Sequence, residues 1–263
     1  MIGIAGLARS GKDTVASLLL KHSSVATYAL ADPLKMGCQV LFGLSDAQAW
    51  NDDCKEKKIA LWRRSPREFF QRVGTDWMRT ANADHWLMRA QRAINPPLRR
   101  SQAEITPRLQ DRDAPFKLAA QAFFDFSSAQ LWDDASYDTP DPFWHLSPRA
   151  AVEWLEKLTL ADFPNYSATR VQRTVVFPSR QLPVFDDKQV IVIKDIRFEN
   201  EASFIRCHHG RIWHVARKNI EKVNPHSSEH GIRVDQADIV IDNDGSLEQL
   251  ARQVENAWQQ RIS

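Results

Sequence analysis

The amino-acid sequence predicts an α/β fold, in which a parallel β-sheet carries helices on both faces and a mostly helical subdomain is inserted. A short apolar run at residues 1–5 leads into a glycine-rich turn and then into an amphipathic helical stretch. A second run, at 190–193, is apolar throughout, as buried parallel strands are. Strand and helix patterns alternate from there to about residue 258, which is typical of a parallel sheet.

The composition is that of an ordinary globular protein. The chain has 263 residues, of which 43% are hydrophobic and 26% charged, and its formal net charge is +2. A charge so near zero does not by itself indicate a nucleic acid or an anionic membrane as partner. Three scattered cysteines favour a reducing compartment, and no apolar stretch reaches the roughly 20 residues that span a bilayer. The first apolar run is too short for a signal peptide, so we expect a cytoplasmic protein with no membrane partner.

The turn after the first predicted strand has the pattern of a phosphate-binding loop, as in P-loop nucleotide hydrolases (NTPases). It reads Gly6-Leu-Ala-Arg-Ser-Gly-Lys-Asp-Thr14. Its glycines let the backbone bend so that successive N–H groups point inward, and the next helix directs its positive end to the same point. Lys12 adds an ammonium group, although the consensus has Ser or Thr next, where this chain has Asp13 and then Thr14. The alternative is an accidental glycine-rich turn, which the preceding N-terminal strand disfavours.

Three elements are predicted between the loop and residue 79. A strand is expected at 25–30, and a helix at 32–43 with Asp32 as N-cap and Pro33 in its first position. A helix over 65–79 is indicated by a capping Ser, a Pro after it and a Glu three residues after the Ser. At about 100° per residue, this helix has two faces. One contains Phe69, Phe70, Val73 and Trp77, and the other contains Arg67, Gln71, Gly74, Thr75 and Met78.

The second face of that helix is either solvated surface or the wall of a ligand cleft, and the spacing alone favours the solvated surface. A further helix is predicted over 85–94. Residues 98–187 are predicted to form the inserted subdomain, with helices near 117–126 and 147–160, because an unstructured loop of that length would be unusual. Within it, Ser-Pro-Arg at 147–149 repeats Ser-Pro-Arg at 65–67, but three residues are too few to predict an internal duplication.

The sheet pattern returns after the insertion. Strands are predicted at 190–193, 211–215 and 238–241, and a helix at 200–208. Asp195 is expected at the carboxyl end of the first of these strands. A final helix begins at a cap formed by Ser246 and Gln249. Its predicted apolar stripe is Leu247, Leu250, Val254 and Trp258.

A phosphate-binding loop raises the question of phosphoryl transfer, which depends on positioning and on positive charge around the moving group. Magnesium normally supplies part of that charge through oxygen ligands, and the candidate ligands are Asp13, Thr14 and Asp195. An acid that ends a buried strand faces the crevice where ligands bind in such sheets; the alternative is a helix cap or an ion pair with Arg197. Guanidinium groups fit phosphate oxygens, and the candidates at predicted cleft edges are Arg67, Arg79, Arg197 and Arg217.

Five segments, in order, resemble the phage-type deoxynucleoside monophosphate kinases, a branch of the P-loop nucleotide kinases. They are the loop at 6–14, Ala31-Asp-Pro-Leu-Lys35, Ser65-Pro-Arg-Glu-Phe-Phe-Gln-Arg-Val-Gly-Thr-Asp76 with Arg79 and Trp86, Asp195-Ile-Arg-Phe-Glu-Asn-Glu201, and His226-Ser-Ser-Glu-His-Gly231. They cover roughly residues 1–95 and 188–250, and the loop alone is specific by itself. The resemblance implies a kinase core at 1–97 and 188–263, with a lid at about 217–231, and the insertion at 98–187.

The same resemblance implies an enzyme that transfers the γ-phosphoryl group of ATP to a deoxynucleoside monophosphate with the help of Mg²⁺. The implied donor-binding residues are Arg9, Ser10, Gly11, Lys12, Asp13, Thr14 and Arg217. The implied acceptor-binding residues are Asp32, Lys35, Arg67, Gln71, Thr75, Arg79, Asn200, Glu201, His226 and Glu229. The implied catalytic residues are Lys12, Arg67, Asp195 and Arg197. Closure of the lid would exclude water, which competes as phosphoryl acceptor.

The insertion leaves the acceptor open between two classes. Some relatives of this family phosphorylate hydroxymethylpyrimidines such as 5-hydroxymethyluracil in viral DNA, and an arginine-rich start with tryptophans could hold DNA by phosphate and stacking contacts. The insertion could instead serve dimerisation, giving a homodimer, or support the lid. A non-catalytic ATP-binding switch is a third hypothesis, which the acceptor-side motifs disfavour. The free mononucleotide is the leading acceptor, and a phage-encoded enzyme would act in the host cytoplasm.

Overall fold

The computed structural model describes residues 1–7, 9–96, 105–218 and 232–260. The chain divides into two compact units: Met1–Leu30 with Pro183–Ser263, here called the sheet unit, and Ala31–Leu182, here called the helical unit. Within the described ranges, none of the helices combines the length and the apolar character that crossing a membrane requires.

The described elements follow one another along the chain in an α/β order with a long helical stretch after β2. The strands are β1 (Ile2–Ala5), β2 (Val25–Ala29), β3 (Val190–Ile196), β4 (Arg211–Ala216) and β5 (Ile239–Asp242). The helices are α1 (Lys12–Leu19), α2 (Ala31–Phe42), α3 (Asp46–Trp50), α4 (Pro66–Gln71), α5 (His85–Ile94), α6 (Ala114–Phe124), α7 (Ser128–Trp132), α8 (Asp134–Tyr137), α9 (Pro148–Asp162), α10 (Tyr166–Arg170), α11 (Glu199–Cys207) and α12 (Leu247–Gln260). A π-helix (Arg72–Arg79) continues α4.

The sheet unit is built on five parallel strands in the order β2-β3-β1-β4-β5. This order confirms the predicted α/β class. Ile2 is paired with Val192 on one side and with Arg211 on the other, so β1 is the central strand. The loop after β1 therefore begins at the middle of the carboxyl edge of the sheet, where open α/β sheets bind their ligands.

Helices cover both faces of this sheet, as predicted. Ile4, Val192 and Trp213 are fully buried in a cluster formed with α1 and α12. Gly3 points to the opposite face because side chains alternate along a strand, and a Cβ on it would lie 3.1 Å from Ile205 of α11. The sheet is thus enclosed between α1 and α12 on one face and α11 on the other.

The last helix, α12, has the predicted cap, since the Ser246 hydroxyl accepts from the Gln249 N–H at 3.3 Å. Leu250, Val254 and Trp258 are buried, as predicted. The prediction for Leu247 was wrong, because that side chain is 60% exposed. Leu247 opens the helix, and the apolar stripe reaches the core only from the second turn.

In the helical unit, α2 packs along α6. Gly37 makes the close approach possible, because a Cβ there would lie 2.0 Å from the fully buried ring of Phe123. The prediction that Asp32 is the N-cap was wrong, since α2 already begins at Ala31. Asp32 lies in the first turn, where a carboxylate still interacts favourably with the helix dipole.

The segment 65–79 begins at the predicted capping box, in which the Ser65 N–H donates to Glu68 at 2.7 Å. The interpretation of the second face as solvated surface was wrong for Gly74 and Met78, which are buried. A π-helix bonds each carbonyl to the N–H five residues on, so the side chains depart from the α-helical spacing. The indole N–H of Trp86 bonds the Gly74 carbonyl at 3.0 Å and helps hold this geometry.

Helices α6 to α10 occupy the described part of the region predicted as the insertion. The predicted helices near 117–126 and 147–160 correspond to α6 and α9. The compact helical unit contains these helices together with α2 to α5. The boundary between core and insertion at residues 98 and 187 stays a prediction.

Replacing Gly37 with Val should lower the free energy of unfolding by about 2–3 kcal/mol, because the new side chain would overpack against Phe123. Urea unfolding followed by circular dichroism measures this. The control is Ser203→Val on the exposed side of α11, which should change stability by no more than about 0.5 kcal/mol. Equal effects of the two substitutions would contradict the packing described for α2 and α6.

His85 should make stability depend on pH. Burial, and then the charge of Arg89, lower the pKa of His85 from 6.5 to about 3. The unfolded chain therefore binds an extra proton between about pH 3 and 6.5, so this residue's contribution is present above pH 6.5 and is lost as the pH falls. The loss is about 1.4 kcal/mol per pH unit in that window. Urea titrations at pH 7 and pH 5 should show a smaller pH effect in His85→Gln than in the unsubstituted chain.

Candidate functional site

The glycine-rich loop between β1 and α1 is a closed turn with unusual backbone angles. The Ser10 N–H donates to the Leu7 carbonyl at 3.2 Å. Gly6, Arg9 and Gly11 have φ values of 147°, 65° and 102°. A Cβ on Gly6 would lie 2.5 Å from the carbonyl oxygen of residue 215 on β4, so only glycine fits there without a shift.

Asn243, directly after β5, fixes this loop from the neighbouring strands. Its side-chain amide donates to the Ser10 carbonyl at 2.8 Å, and its backbone N–H donates to the Ala216 carbonyl at 2.8 Å. A Cβ on Gly11 would lie 2.2 Å from the Asn243 amide nitrogen. Sequence reasoning missed this residue, although a polar amide at the carboxyl end of a predicted strand was a signal for it.

Lys12 begins α1, and its ammonium group is held within the loop. It donates to the carbonyl oxygens of Gly6 at 2.9 Å and Leu7 at 2.7 Å, and it lies 3.4 Å from Oδ1 of Asp195. The side chain is only 11% exposed. The predicted Lys12 therefore stands at the mouth of the turn with its charge partly shielded from water.

Asp195 lies inside β3 and not after it, because the strand extends to Ile196. The predicted strand end at 193 was therefore wrong. The φ of Asp195 is 59°, and the register between β1 and β3 shifts beside it. This left-handed conformation is uncommon for a residue other than glycine and is typical of functional sites. It brings the carboxylate beside Lys12.

Arg197 binds the same carboxylate, with Nε and Nη2 at 2.9 and 2.5 Å from Oδ2 of Asp195. Burial by itself raises the pKa of Asp195, but Arg197, assisted by Lys12, outweighs burial and holds that pKa below its ordinary value. The predicted partners Lys12, Asp195 and Arg197 are thus brought together. Two cations therefore share the carboxylate of Asp195 beside the loop.

The other predicted magnesium ligands differ in their surroundings. The Asp13 side chain is 95% exposed and lies 3.9 Å from the Lys194 ammonium, whereas Thr14 is half-buried. Among the residues described, no cluster of three His, Cys, Asp or Glu residues could hold a metal ion. Ser10, also predicted at the loop, has a buried hydroxyl with no hydrogen-bond partner in the described chain.

Glu201, predicted at the acceptor side, is buried and caps α11. Its Oε2 accepts from the backbone N–H of Arg197 at 2.8 Å and of Phe198 at 3.2 Å. Asn200 is half-buried on the same first turn. The carboxylate of Glu201 therefore fixes the backbone on which Arg197 is placed.

Most of the predicted lid, 217–231, lies outside the described residues, and so do His226 and Glu229. Arg217 is described and exposed. Before residues 219–231, the Lys218 ammonium pairs with Asp244 at 3.1 Å. After them, the N–H of Arg233 donates to Glu199 of α11 at 2.7 Å.

A further buried acid, which sequence reasoning missed, is Asp238. Asp238 accepts from Arg206 at 2.7 Å and from the N–H of residue 235 at 2.9 Å, and it lies 3.1 Å from His214. Its side chain is 1% exposed. The contacts join α11, β4 and the start of β5.

The remaining predicted acceptor residues belong to the helical unit. Lys35 lies over the Trp50 ring at 5.3 Å from the centroid. Arg67 pairs with Glu56. Gln71, Thr75 and Arg79 follow one another at four-residue intervals along α4 and the π-helix. Gln71 and Thr75 are exposed and Arg79 is half-buried. Asp32 lies on α2.

The Deoxynucleotide monophosphate kinase family model matches residues 1–61 and 175–254, more than half of the chain. The "Deoxynucleotide monophosphate kinase" of Enterobacteria phage T4 is 23% identical over 97% of both chains. That of Escherichia phage RB69 is 22% identical over 97% of this chain and 98% of its own. The "Putative deoxynucleotide monophosphate kinase" of Acanthamoeba polyphaga mimivirus is 41% identical over 81 residues, which are 30% of this chain and 42% of that protein.

A parallel sheet with a glycine-rich loop and a lysine after its central strand defines a nucleotide-binding α/β protein of the kinase class. The family match makes the assignment more specific. This chain belongs to the deoxynucleotide monophosphate kinase family, and it is a nucleotide kinase. The resemblance found in the sequence is confirmed.

Replacing Asn243 with Ala should loosen the loop and raise the KM for the nucleotide phosphate donor several-fold, because the Ser10 carbonyl would lose its side-chain donor. Stability should fall by only about 1 kcal/mol, the net value of one hydrogen bond. The control is Asn256→Ala on the exposed side of α12, which should leave both quantities unchanged. An unchanged KM in Asn243→Ala would contradict a role for this amide in shaping the loop.

Proposed function

We propose that this protein transfers the γ-phosphoryl group of ATP to a free deoxynucleoside monophosphate. The proposal depends above all on Lys12, whose ammonium is held at the mouth of the glycine-rich loop of a member of this kinase family. The names of the two full-length phage relatives support the same acceptor class. A kinase needs side chains that hold an acceptor, such as those predicted in the helical unit, whereas a switch that only binds ATP does not need them.

The loop fits the phosphates of the donor. The buried Ser10 hydroxyl has no partner in the described chain, and the glycine positions leave no room for a side chain. Backbone N–H groups of residues 9–14 and the N-terminus of α1 would hold the phosphates, since helix N-termini bind anions. Lys12 and Arg197 would stabilise the charge that develops on the transferred group.

Magnesium would be held by oxygen ligands at the same edge, with Thr14 and Asp195 as the candidates and Asp13 as the more exposed third. Asp195 fits this role because its Oδ1 faces the Lys12 ammonium at 3.4 Å at the same edge and because its lowered pKa keeps it ionised at neutral pH. When bound, the ion would supply further positive charge to the phosphates. Asp195 would also orient Arg197.

The acceptor would be held by polar and charged side chains of the helical unit. Lys35 and Arg79 are the cations suited to its phosphate, and Gln71 and Thr75 are the exposed polar groups suited to its base or sugar. Asp32 and Arg67 stay predictions from the resemblance, as do Asn200 and Glu201. A lid with Arg217, His226 and Glu229 would exclude water during transfer.

Replacing Lys12 with Ala should lower kcat for phosphoryl transfer at least roughly 100-fold, because the site loses a preorganised charge. A radiolabelled-ATP assay with each deoxynucleoside monophosphate measures this. Lys21→Ala, an exposed lysine in the turn after α1, is the control and should keep full activity. The chain should remain folded in both variants, as judged by circular dichroism; near-normal transfer by Lys12→Ala would reject the assigned role.

The same assay separates the two acceptor classes when duplexes containing thymine or 5-hydroxymethyluracil are included. We expect label on the mononucleotides and none on either duplex, with little dependence on salt. Label on the DNA alone, falling steeply with salt as phosphate contacts do, would overturn the proposed acceptor. Binding of ATP without transfer to any acceptor would indicate the switch.

A further inference from the structure

The helical unit contains a sequence repeat at an offset of 82 residues. Between 33–67 and 115–149, 13 of 35 positions are identical without a gap. Unrelated stretches of ordinary composition would share about two. The Ser-Pro-Arg shared by 65–67 and 147–149 is therefore the end of a much longer match. Three residues were too few to predict an internal duplication, but the full match indicates one.

The two segments also fold alike in detail. Each carries a serine capping box, in which Ser45 and Ser127 accept from the N–H three residues on at 3.2 Å. In each, a tryptophan indole donates to the carbonyl of the last residue of the copy's first helix: Trp62 to Phe42 of α2 at 2.9 Å, and Trp144 to Phe124 of α6 at 2.6 Å. Each contains an isolated antiparallel bridge and two left-handed residues at matching positions, Gly43 and Arg63 in the first and Asp125 and His145 in the second.

The copies support each other through crossed contacts at the ends of α2 and α6. Arg89, which follows the first copy, donates to the Ala122 carbonyl in the second copy at 2.9 Å. Arg170, which follows the second copy, donates to the carbonyls of Val40 at 2.9 Å and Leu41 at 3.0 Å in the first. Ala122 is the residue equivalent to Val40. The exchange is reciprocal, as at the interface of a two-fold dimer.

His85 and Tyr166, four residues before Arg89 and Arg170, also bond the backbone of the other copy. The Tyr166 hydroxyl donates to the Leu41 carbonyl at 2.7 Å. The His85 ring hydrogen-bonds the backbone of Phe123, which is the equivalent of Leu41. Sequence and local fold therefore relate residues 33–67 to 115–149. The crossed contacts extend the relation to His85 and Arg89 on one side and Tyr166 and Arg170 on the other, at an offset of 81 residues.

Contacts present in both copies belong to the shared framework. Arg67 pairs with Glu56, and Arg149 pairs with Asp138, in each case across eleven residues. By contrast, the acceptor-side Asp32 is replaced by Ala114 in the second copy, whereas Lys35 is kept as Lys117. The acceptor-side residues Gln71, Thr75 and Arg79 follow the stretch that matches without a gap.

Lys35 and its equivalent, Lys117, are the same residue with different surroundings. Lys117 is 8% exposed, pairs with Asp113 at 2.9 Å and lies 4.7 Å from the Trp132 ring. The position equivalent to Asp113 is Ala31. Lys35 keeps the contact with its tryptophan, but no described carboxylate lies within ion-pairing distance of it.

The charge of Lys35 acts on Asp52, but that acid is already bound by Lys55. The hydrogen bond from Lys55 at 3.0 Å lowers the pKa of Asp52 most, burial opposes it, and the charges of Lys55, Lys35 and Arg67 lower that pKa by smaller amounts. A second cation, Arg180, lies over the same ring as Lys35, with 4.4 Å to the centroid of Trp50. Among the residues that the structure describes, Lys35 thus has no counterpart of the Asp113 carboxylate that pairs with Lys117.

We propose that the helical unit is an internal duplication in which the first copy alone binds an anionic ligand, with Lys35 as the phosphate-binding residue and Ala31 as the substitution that leaves its charge unpaired. The second copy serves as the structural partner of the first. This inference rests on the proposed function, because it takes the acceptor phosphate as the anion.

The test restores the missing counter-ion. Ala31→Asp places a carboxylate four residues before Lys35, as Asp113 is before Lys117, at an exposed site that opens α2. The KM for the deoxynucleoside monophosphate should rise about tenfold over Ala31→Asn, the matched uncharged variant, since a charged hydrogen bond is lost from the ligand. The KM for ATP and the kcat should stay within twofold.

The reciprocal variant tests the second copy. Asp113→Asn should lower the melting temperature of the full chain, because it leaves the buried Lys117 unpaired, and it should leave both KM values unchanged. The inference fails if Ala31→Asp and Ala31→Asn have the same KM for the mononucleotide, or if Asp113→Asn raises that KM as much. Failure of the unsubstituted chain to label any mononucleotide would instead reject the proposed function.

Discussion

The loop after β1 depends on one charged arrangement, in which Lys12 is held between two carbonyls of its own turn and the carboxylate of Asp195. Arg197 takes the other oxygen of that carboxylate, and Glu201 fixes the backbone of Arg197. Lys12 and Arg197 therefore place two cations beside the positive end of α1, where both of them and the helix dipole would attract an anionic ligand.

Much of the sheet unit could be predicted because the sequence patterns that specify its elements are local. An apolar run, a glycine-rich turn and a capping box each depend on residues that are near in sequence, so β1, the loop and α12 were all expected. Asn243 was not, because its bond to Ser10 joins residues 233 apart and exists only once β5 lies beside β4. Its contribution depends on strand order, which no single segment encodes.

The errors arose where a regular period was assumed. The α-helical spacing favoured a solvated face that included Gly74 and Met78, but the π-helix changes the spacing and buries both. Asp195 was placed beyond its strand, but a left-handed residue can remain inside β3 when the register to β1 shifts. Both departures concern residues predicted to lie at or beside a ligand, where locally unfavourable geometry is most often retained.

The duplication changes how the contacts of the helical unit should be weighed. A well-bonded arginine such as Arg67 attracts notice as a site residue, yet Arg149 makes the same kind of pair in the copy, so that pair alone cannot mark a site. Lys35 makes fewer contacts, and it is the lysine whose copy is neutralised by Asp113. A partly buried cation that lacks its counter-ion is costly without an anion nearby. The difference between equivalent residues therefore identifies binding chemistry better than the number of bonds at either one.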